Sequence, residues 1–561
     1  MVRGLLTFAG KEIRGMHQAA YLLATFALGS QLLALVRDRL LAGTFGAGHE
    51  LDLYYAAFRI PDLLFATVAS LLSLYALLPV ISRLEAKGES LVPFIEHMLL
   101  YFFAAMAVVC SIAFVFVPEL LHYLLPGLSG GPDGAMLVIL TRILLLQPIL
   151  LGASNIVANL TQLRHRFLLY SLSPLLYNLG IIAGILWLYP HYGLAGLAWG
   201  VVGGAVLHLA IQLPYFFGER VAGPVRVRFA DSFRALREVL MLSVPRTLSL
   251  AANQLSLVVL VALASFLSAG SISIFTFAWN LQAVPLTIIG VSYSVAAFPT
   301  LSRLFAGGGH EEFLQHLTGA LRHIIFWSIP AMVFVVVLRA QLVRAILGAG
   351  QFDWPSTRLV AAALALFILA LLAQAVSLLI ARAYYAAGDS RKPFVFGIID
   401  VVVSVGSALI LVDAFHASHF WRYFLESLLR VSDIAGTTVL MLALAMALGS
   451  IAEFAVGMWY LQRDFKLNAS GLWKLSFESF AASIIGGFAA YWVLAATGSY
   501  VNIDTAPAVA AQGAAAGIVG LIVTTGVLIL LKNQELFETY RTLHQKLRPE
   551  PIVIETTEVQ S

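Results

Sequence analysis

Apolar runs of about twenty residues, divided by Gly, Pro and charge clusters, recur along the whole chain, and about twenty is the length a helix needs to cross a bilayer. The division yields roughly fourteen runs, centred near residues 30, 68, 105, 150, 178, 205, 252, 290, 330, 370, 403, 445, 485 and 518. The pattern predicts an all-α polytopic membrane protein of about 14 transmembrane helices.

The gaps between runs alternate in charge. One set holds Arg83 and Lys87, Arg164 and Arg166, the basic stretch from Arg220 to Arg234, Arg303, Arg391 and Lys392, Arg463 and Lys466, and Lys532 to Arg548. The other set is short, glycine-rich and almost free of Lys and Arg: GAGHELD, LPGLSGGPDG, YPHYG, LSAGS, LGAGQFDWPS and TGSYVNIDTAP. Cytoplasmic loops carry the excess of Lys and Arg, so both termini are expected in the cytoplasm. One loop of the outer set departs from this rule: HASHFWRYFLESLLR, with Trp421, Arg422 and Tyr423, reads as an interfacial helix on the outer face. The start, MVRGLLTFAGKEIRGMHQ, lacks the uninterrupted apolar core of a cleavable signal and reads as a cytoplasmic segment resting on the membrane.

An internal repeat is visible. FGAG, RIPDLL and LLPVISRLEAKGE in the first half correspond to FLSAG, QAVPLT and AFPTLSRLFAGGG in the second, which pairs Pro61 with Pro285 and Ser82-Arg83-Leu84 with Ser302-Arg303-Leu304. Two pseudo-symmetric six-helix lobes follow, sharing one orientation because six is even, with a substrate path between them. The boundaries are 1–218 for the first lobe, 219–236 for a cytoplasmic linker and 237–466 for the second lobe. Two further helices occupy 467–535, and 536–561 form a cytoplasmic tail.

Composition agrees with a membrane setting: of 561 residues, 60% are hydrophobic and 11% charged, and mean hydropathy is +0.89. The net charge of +4 does not signal nucleic acid, because the basic residues sit in short gaps rather than on one domain. Cys110 is the single cysteine, which excludes an intramolecular disulfide and a cysteine metal site. The chain carries no HExxH and no phosphate-binding GxxxxGK[ST] loop, so it holds no metalloprotease or ATPase of its own, and no metal site or cofactor is expected. GLSGG at 127–131 fits the nucleophile pattern GxSxG but lacks the strand-turn-helix context, so an enzyme is not indicated.

Chemistry concentrates between Gly29 and Asp62, where Arg37, Asp38, Arg39, Asp52, Arg59 and Asp62 interrupt apolar sequence. A charge at bilayer depth costs at least about 2.5 kcal/mol, so these groups are expected to face a protein interior or a watery cavity. Arg246, early in the seventh run, and Arg142, on the fourth, are further candidate cavity cations. Guanidinium forks suit phosphate. Pro61 and Pro285 are candidate hinges, since each removes a helical hydrogen bond, and Asp400 and Glu453 are isolated acids of later helices that could serve a coupling cation or end a helix.

The run VRDRLLAGTFGAGHELDLYYAAFRIPDLL resembles the first two helices of the MurJ/MviN-type lipid II flippases of the MOP exporter superfamily. LAGLAWGVVGGAVLHLAIQLP, AFPTLSRLFAGGGHEEF, LGAGQFD and RAYYAAGDSRKP extend the likeness in consistent order over about residues 20 to 395. The resemblance implies fourteen helices, two lobes and a cationic central cavity in the bacterial inner membrane. It also implies movement of an undecaprenyl-pyrophosphate-linked peptidoglycan precursor, lipid II, to the outer leaflet, driven by membrane potential or a Na+ or H+ gradient. Its implied partners are this polyprenyl-pyrophosphate-linked glycan, membrane lipids and other cell-wall synthesis proteins. Arg37, Asp38, Asp52, Arg59 and Pro61 match the family pattern. The chain departs from it at Gln31, Phe65 and Asn280, where the family often has arginine, and has Trp279 in place of an acid; Arg246 and Arg142 are the candidates to restore the lost charge. On this reading Arg37, Arg59 and Arg246 would neutralise pyrophosphate while Asp38 and Asp52 orient them or gate through ion pairs. The departures leave open an exporter of another polyprenyl-linked glycan or of a drug, or a non-transporting scaffold for envelope synthesis.

Overall fold

The computed structural model describes residues 16–68, 71, 91–163, 166–221, 229–467, 470–498, 500 and 505–547. The expected membrane-resting start, the first copy of the Ser-Arg-Leu pairing at 82–84 and the middle of the linker, 222–228, lie outside the described residues. Among the described residues, the regular structure is helical throughout. The first half contains α1 Met16–Phe45, α2 His49–Ala57, α3 Arg59–Thr67, α4 Leu91–Leu124, α5 Pro126–Ser129 and α6 Gly134–Leu144. It continues with α7 Leu146–Leu163, α8 Phe167–Ala183, α9 Tyr189–Ala210 and α10 Leu213–Val221. The second half contains α11 Phe229–Ser265, α12 Ser271–Leu286, α13 Ser292–Ala306, α14 His310–Leu347, α15 Trp354–Ile368, α16 Leu371–Ala386, α17 Arg391–Ala417, α18 His419–Leu429 and α19 Val439–Phe465. Beyond it lie α20 Ser470–Thr497, α21 Ala506–Leu530 and α22 Gln534–Leu547.

Nine helical segments among the described residues are long and apolar enough to cross a membrane, or ten if α15 and α16, bent by 45° at their junction, form one span. One of the nine, Phe167–Phe217, has 51 residues and would measure roughly 77 Å if straight, more than twice the hydrocarbon core. It reverses instead at Gly193, whose φ of 58° lies in the left-handed region. The two arms then pack backbone to backbone. A Cβ on Gly180 would stand 2.2 Å from the Gly204 Cα, and one on Gly184 would stand 2.6 Å from the Gly200 Cα. Close approach of this kind is how helices associate where lipid offers no hydrophobic drive.

The side chains turned outward are apolar, the reverse of a water-soluble protein. On α4, Val108, Ile112, Val115 and Phe116 are all more than half exposed, as a lipid-facing surface requires. The glycine-rich turns gather at one end of the bundle. There Phe45 stacks edge-on against Tyr189 at 4.7 Å, His49 meets Asp133 at 2.9 Å, and Gly127 lies against the Ser265 carbonyl. Arg358 holds Asp433 at 2.6 Å at the same end, and its hydrogen bond lowers the carboxyl of that exposed aspartate below its ordinary range. Charged pairs mark the opposite end: Lys392 bridges Asp464 (2.7 Å) and Asp389 (3.3 Å), and Arg322 Nε donates to Glu535 (2.5 Å) to dock α22. The helix expected in HASHFWRYFLESLLR forms as α18. It presents Phe420, Tyr423, Phe424 and Leu428 outward and keeps Leu425 and Leu429 inside.

Gly180→Leu should destabilise the protein by roughly 1–3 kcal/mol or more, because its Cβ meets backbone that cannot move aside. Gly203→Ala, one position from Gly204 and open on all sides, should stay within about 0.5 kcal/mol of wild type. Thermal unfolding of the detergent-purified protein distinguishes the two; equal melting temperatures would reject the backbone-contact account.

Candidate functional site

Arg37, Asp38 and Arg39 are consecutive, so the 100° step of α1 sends them in three directions. Each direction meets a different helix. The Arg37 guanidinium donates to Asp38 Oδ1 through Nε (3.0 Å) and Nη2 (2.8 Å), and to Asn178 Oδ1 on α8 through Nη1 (3.2 Å). The Asn178 amide is itself fixed, donating to the Pro174 carbonyl (3.1 Å) and to Ser30 Oγ (3.3 Å). Asp38 is 3% exposed, and its second oxygen accepts from Asn280 Nδ2 on α12 at 3.0 Å. A carboxylate between helices of the two halves therefore holds one arginine in place. Those bonds use three of five guanidinium N–H groups and leave two for an anion, with the side chain 20% exposed.

Around this pair stand Tyr54, Tyr55 and Arg59. Arg59 is buried, donates through Nε to the Tyr55 carbonyl (3.2 Å), and shares a face of α3 with Asp62 three residues on. The Tyr55 hydroxyl is buried without a hydrogen-bond partner among the described residues, while its ring packs edge-on against Phe277 of α12 at 5.9 Å. A buried hydroxyl left unpaired costs about 1–3 kcal/mol, which an incoming acceptor would recover. Nothing in the sequence distinguishes this tyrosine from Tyr54, because its lack of a partner is a property of the packing.

Arg39 and Asp52 have partners that sequence reasoning missed. Arg39 turns to the C-terminus of α14, donating through Nη1 to the carbonyls of Ala345 (2.7 Å) and Ile346 (3.0 Å) and through Nη2 to Gly348 (3.4 Å). Asp52 sits at the N-terminus of α12, accepting from the amides of Gly270 (2.6 Å) and Ser273 (2.7 Å) and from the Ser273 hydroxyl (2.6 Å). Among the described residues Asp52 orients no arginine; backbone N–H groups take its oxygens. Each charge opposes the helix-end dipole it meets, worth roughly 0.3–1 kcal/mol and up to about 2 where partly buried. The Gln351 amide adds a bond to the Gly43 carbonyl (2.9 Å). The glycine-rich end is therefore sealed by reciprocal caps between the first and second halves of the chain.

The remaining candidates fall elsewhere. Arg142 lies over the Phe114 ring at 4.7 Å and donates to the Phe114 carbonyl (3.2 Å), so the structure places it against α4 and not with Arg37. Gln31 is half-buried on α1 and makes no hydrogen bond to the cluster among the described residues. Phe65 packs among the apolar side chains around Phe94, Ile95 and Met98. The backbone of Arg246 belongs to α11, but its side chain lies outside the described residues. Pro61 follows the break between α2 and α3 at Phe58, and Pro285 precedes a π-helical turn at Thr287–Val291; both leave a carbonyl without its helical donor. Asp400 on α17 accepts from Ser450 Oγ at 3.4 Å, and Glu453 lies one turn beyond Ser450 on α19. Among the described residues no group of three or more His, Cys, Asp or Glu could hold a metal ion.

Comparison with known proteins bears on this geometry. The family model described as lipid II flippase MurJ matches residues 41–510. The chain is 26% identical over 407 residues to the lipid II flippase MurJ of Burkholderia cenocepacia, covering 71% of this chain and 78% of that one. It is 26% identical over 396 residues to the probable lipid II flippase MurJ of Thermotoga maritima, covering 70% and 78%. Among solved structures, a lipid II flippase MurJ in an inward closed conformation superposes with a TM-score of 0.71 at 20% identity, over 91% of this chain and all of that one. An inward-facing MATE-family multidrug transporter of the MOP superfamily gives 0.63 at 14% identity, over 78% and 94%. Both likenesses concern the fold.

Asp52→Ala should loosen the sealed end. Losing three hydrogen bonds to one carboxylate is expected to shift the closed-to-open ratio by on the order of 2 kcal/mol, roughly thirtyfold. Spin labels at Glu50 and Ala269 should then show a new population at longer distance; an unchanged distribution would remove Asp52 from the seal.

Proposed function

Because the chain belongs to the lipid II flippase MurJ family, we propose that it moves undecaprenyl-pyrophosphate-linked peptidoglycan precursor from the inner to the outer leaflet by alternating access. The observation that supports this cargo chemistry is Arg37. It is a guanidinium fixed from one side by Asp38 and Asn178, with two N–H groups left for a phosphate, at a depth where an unengaged charge would be costly. The buried Tyr55 hydroxyl and Arg59 supply further donors nearby. Movement across a membrane changes no covalent bond, so the protein is a transporter and not an enzyme.

The finer architecture belongs to the same reading. The more polar helices α1 and α11 and the short pair α2–α3 also cross the membrane, α15–α16 crosses once and Phe167–Phe217 twice, for fourteen spans in all. Two six-helix lobes, 1–218 and 237–466, are joined by the 219–236 linker and followed by α20 and α21. The Lys- and Arg-rich end faces the cytoplasm of a bacterial inner membrane, and both termini lie there. The sealed glycine-rich end is then the outer gate, and the structure corresponds to an inward-oriented state.

Transport on this scheme exchanges one set of partners for another. The polyprenyl tail stays in lipid while the pyrophosphate enters beside Arg37. Opening the outer gate releases Asp52 from α12, Arg39 from α14 and Asp38 from Asn280, with bending near Pro61 and Pro285. A ligand shifts such an equilibrium only by its differential affinity for the two states, so contacts made in one state alone do the work. Asn280 fits this scheme as a neutral donor that can let go of Asp38 without stranding a second charge.

Arg37→Ala should fail to support growth of a flippase-depleted strain, with lipid II affinity lowered roughly thirtyfold, about 2 kcal/mol for lost charge-assisted bonds. Arg142→Ala, which removes a contact to Phe114, should support growth. Normal growth with Arg37→Ala at wild-type expression would reject Arg37 as the phosphate ligand.

A further inference from the structure

A second polar site lies outside this cluster, between α13 and α14. A cavity of about 480 Å3 separates the two helices. Tyr293 and Thr300 enter it from α13, seven residues apart and so on one face, and Gln315, His316 and His323 enter from α14. Between them the lining is Ala296, Ala297, Gly319 and Ala320, too small to fill the gap. The helices are antiparallel and joined by the Gly307–Gly309 hairpin at the basic end. At 1.5 Å per residue, Thr300 lies about 10 Å from that hairpin and Tyr293 and His323 about 20 Å.

The lining is rich in hydrogen-bond donors and free of negative charge. His316, His323, Gln315, Thr300 and Tyr293 all present N–H or O–H donors, and no carboxylate lines the cavity. Arg322, adjacent to His323, is turned away to Glu535 and Gln534. His323 stacks on the Tyr293 ring (5.7 Å, 16°), which fixes its plane, and its Nδ1 is buried without a hydrogen-bond partner among the described residues. Trp327, one turn further, hydrogen-bonds the Tyr293 side chain. The indole can only donate, so the tyrosine O–H remains available. In lipid there is little water to satisfy such groups, and 480 Å3 exceeds what a bare ion would fill but suits a small headgroup.

We propose that this cavity binds the phosphate headgroup of an anionic membrane lipid in the inner leaflet, with His323, His316, Gln315 and Tyr293 as donors. The leaflet follows from the sidedness proposed above; the binding chemistry is independent of what the protein transports. The same donors could accept a soluble phosphate, so the test separates the two sources.

Native mass spectrometry of the full chain in detergent provides it, with phosphatidic acid as probe and diacylglycerol of the same acyl chains as the control lacking phosphate. Wild type should retain phosphatidic acid over diacylglycerol. His323→Phe, which keeps the ring stack but not the donors, and Ala297→Leu, which fills the cavity and keeps the donors, should each weaken retention at least about tenfold. Equal retention of the two lipids, or phosphatidic acid binding unchanged in both variants at wild-type melting temperature, would overturn the proposal. Binding of millimolar inorganic phosphate with no phosphatidic acid retained would overturn the lipid assignment. The readout is binding alone, so its failure leaves the transport reading intact, and a failed complementation by Arg37 variants leaves this site intact.

Discussion

A charge within a membrane-spanning helix has no water to solvate it and must be met by the protein itself. That constraint organises residues 29–62 of this chain and, through them, the way its two halves join. Three adjacent charges on α1 cannot share one partner, because the helix points them apart. Arg37 and Asp38 satisfy each other with help from Asn178 and Asn280, whereas Arg39 finds the exposed carbonyls at the end of α14. Asp52 finds the exposed amides at the start of α12. Helix ends always leave such groups unsatisfied, so each half supplies what the other lacks.

Reciprocal capping suits a gate. At the end of the bundle, water can replace every bond that Arg39 and Asp52 give up, so the net cost of opening is far below the gross strength of those bonds, about 0.5–1.5 kcal/mol each for ordinary pairs. Asp38 is different: adjacent to Arg39 in sequence, it points the other way, into the bundle, where it is buried against Asn280 of α12. If Asn280 withdraws, Asp38 still keeps the two bonds from Arg37 and no bare charge is exposed to an apolar surface. The inner pair can therefore persist through a conformational cycle while the outer caps form and break.

Much of this was legible in the sequence because its signals are local. Apolar run length and the alternation of basic and glycine-rich gaps gave the helices and the grouping of turns. The charged positions were legible for the same reason. What each charge bonds to was not, since partners 200 to 300 residues away are set by packing: Arg39 read only as one more charge facing the interior and Asp52 as an arginine partner, yet both cap helices of the other half. Arg142 looked like a cavity cation because a sequence does not say which face of a helix turns inward, and it lies against Phe114. Tyr55 carried no signal, for an unpaired hydroxyl exists only once its neighbours are in place.

The central claim is that this chain carries a pyrophosphate-linked precursor past Arg37 to the outer leaflet. Its most direct test is the accessibility of lipid II to an externally added toxin that cleaves the head group, in cells depleted of this protein and lacking any redundant flippase. Lipid II that accumulates shielded from the toxin is the predicted result. Accessibility unchanged by depletion would contradict the account.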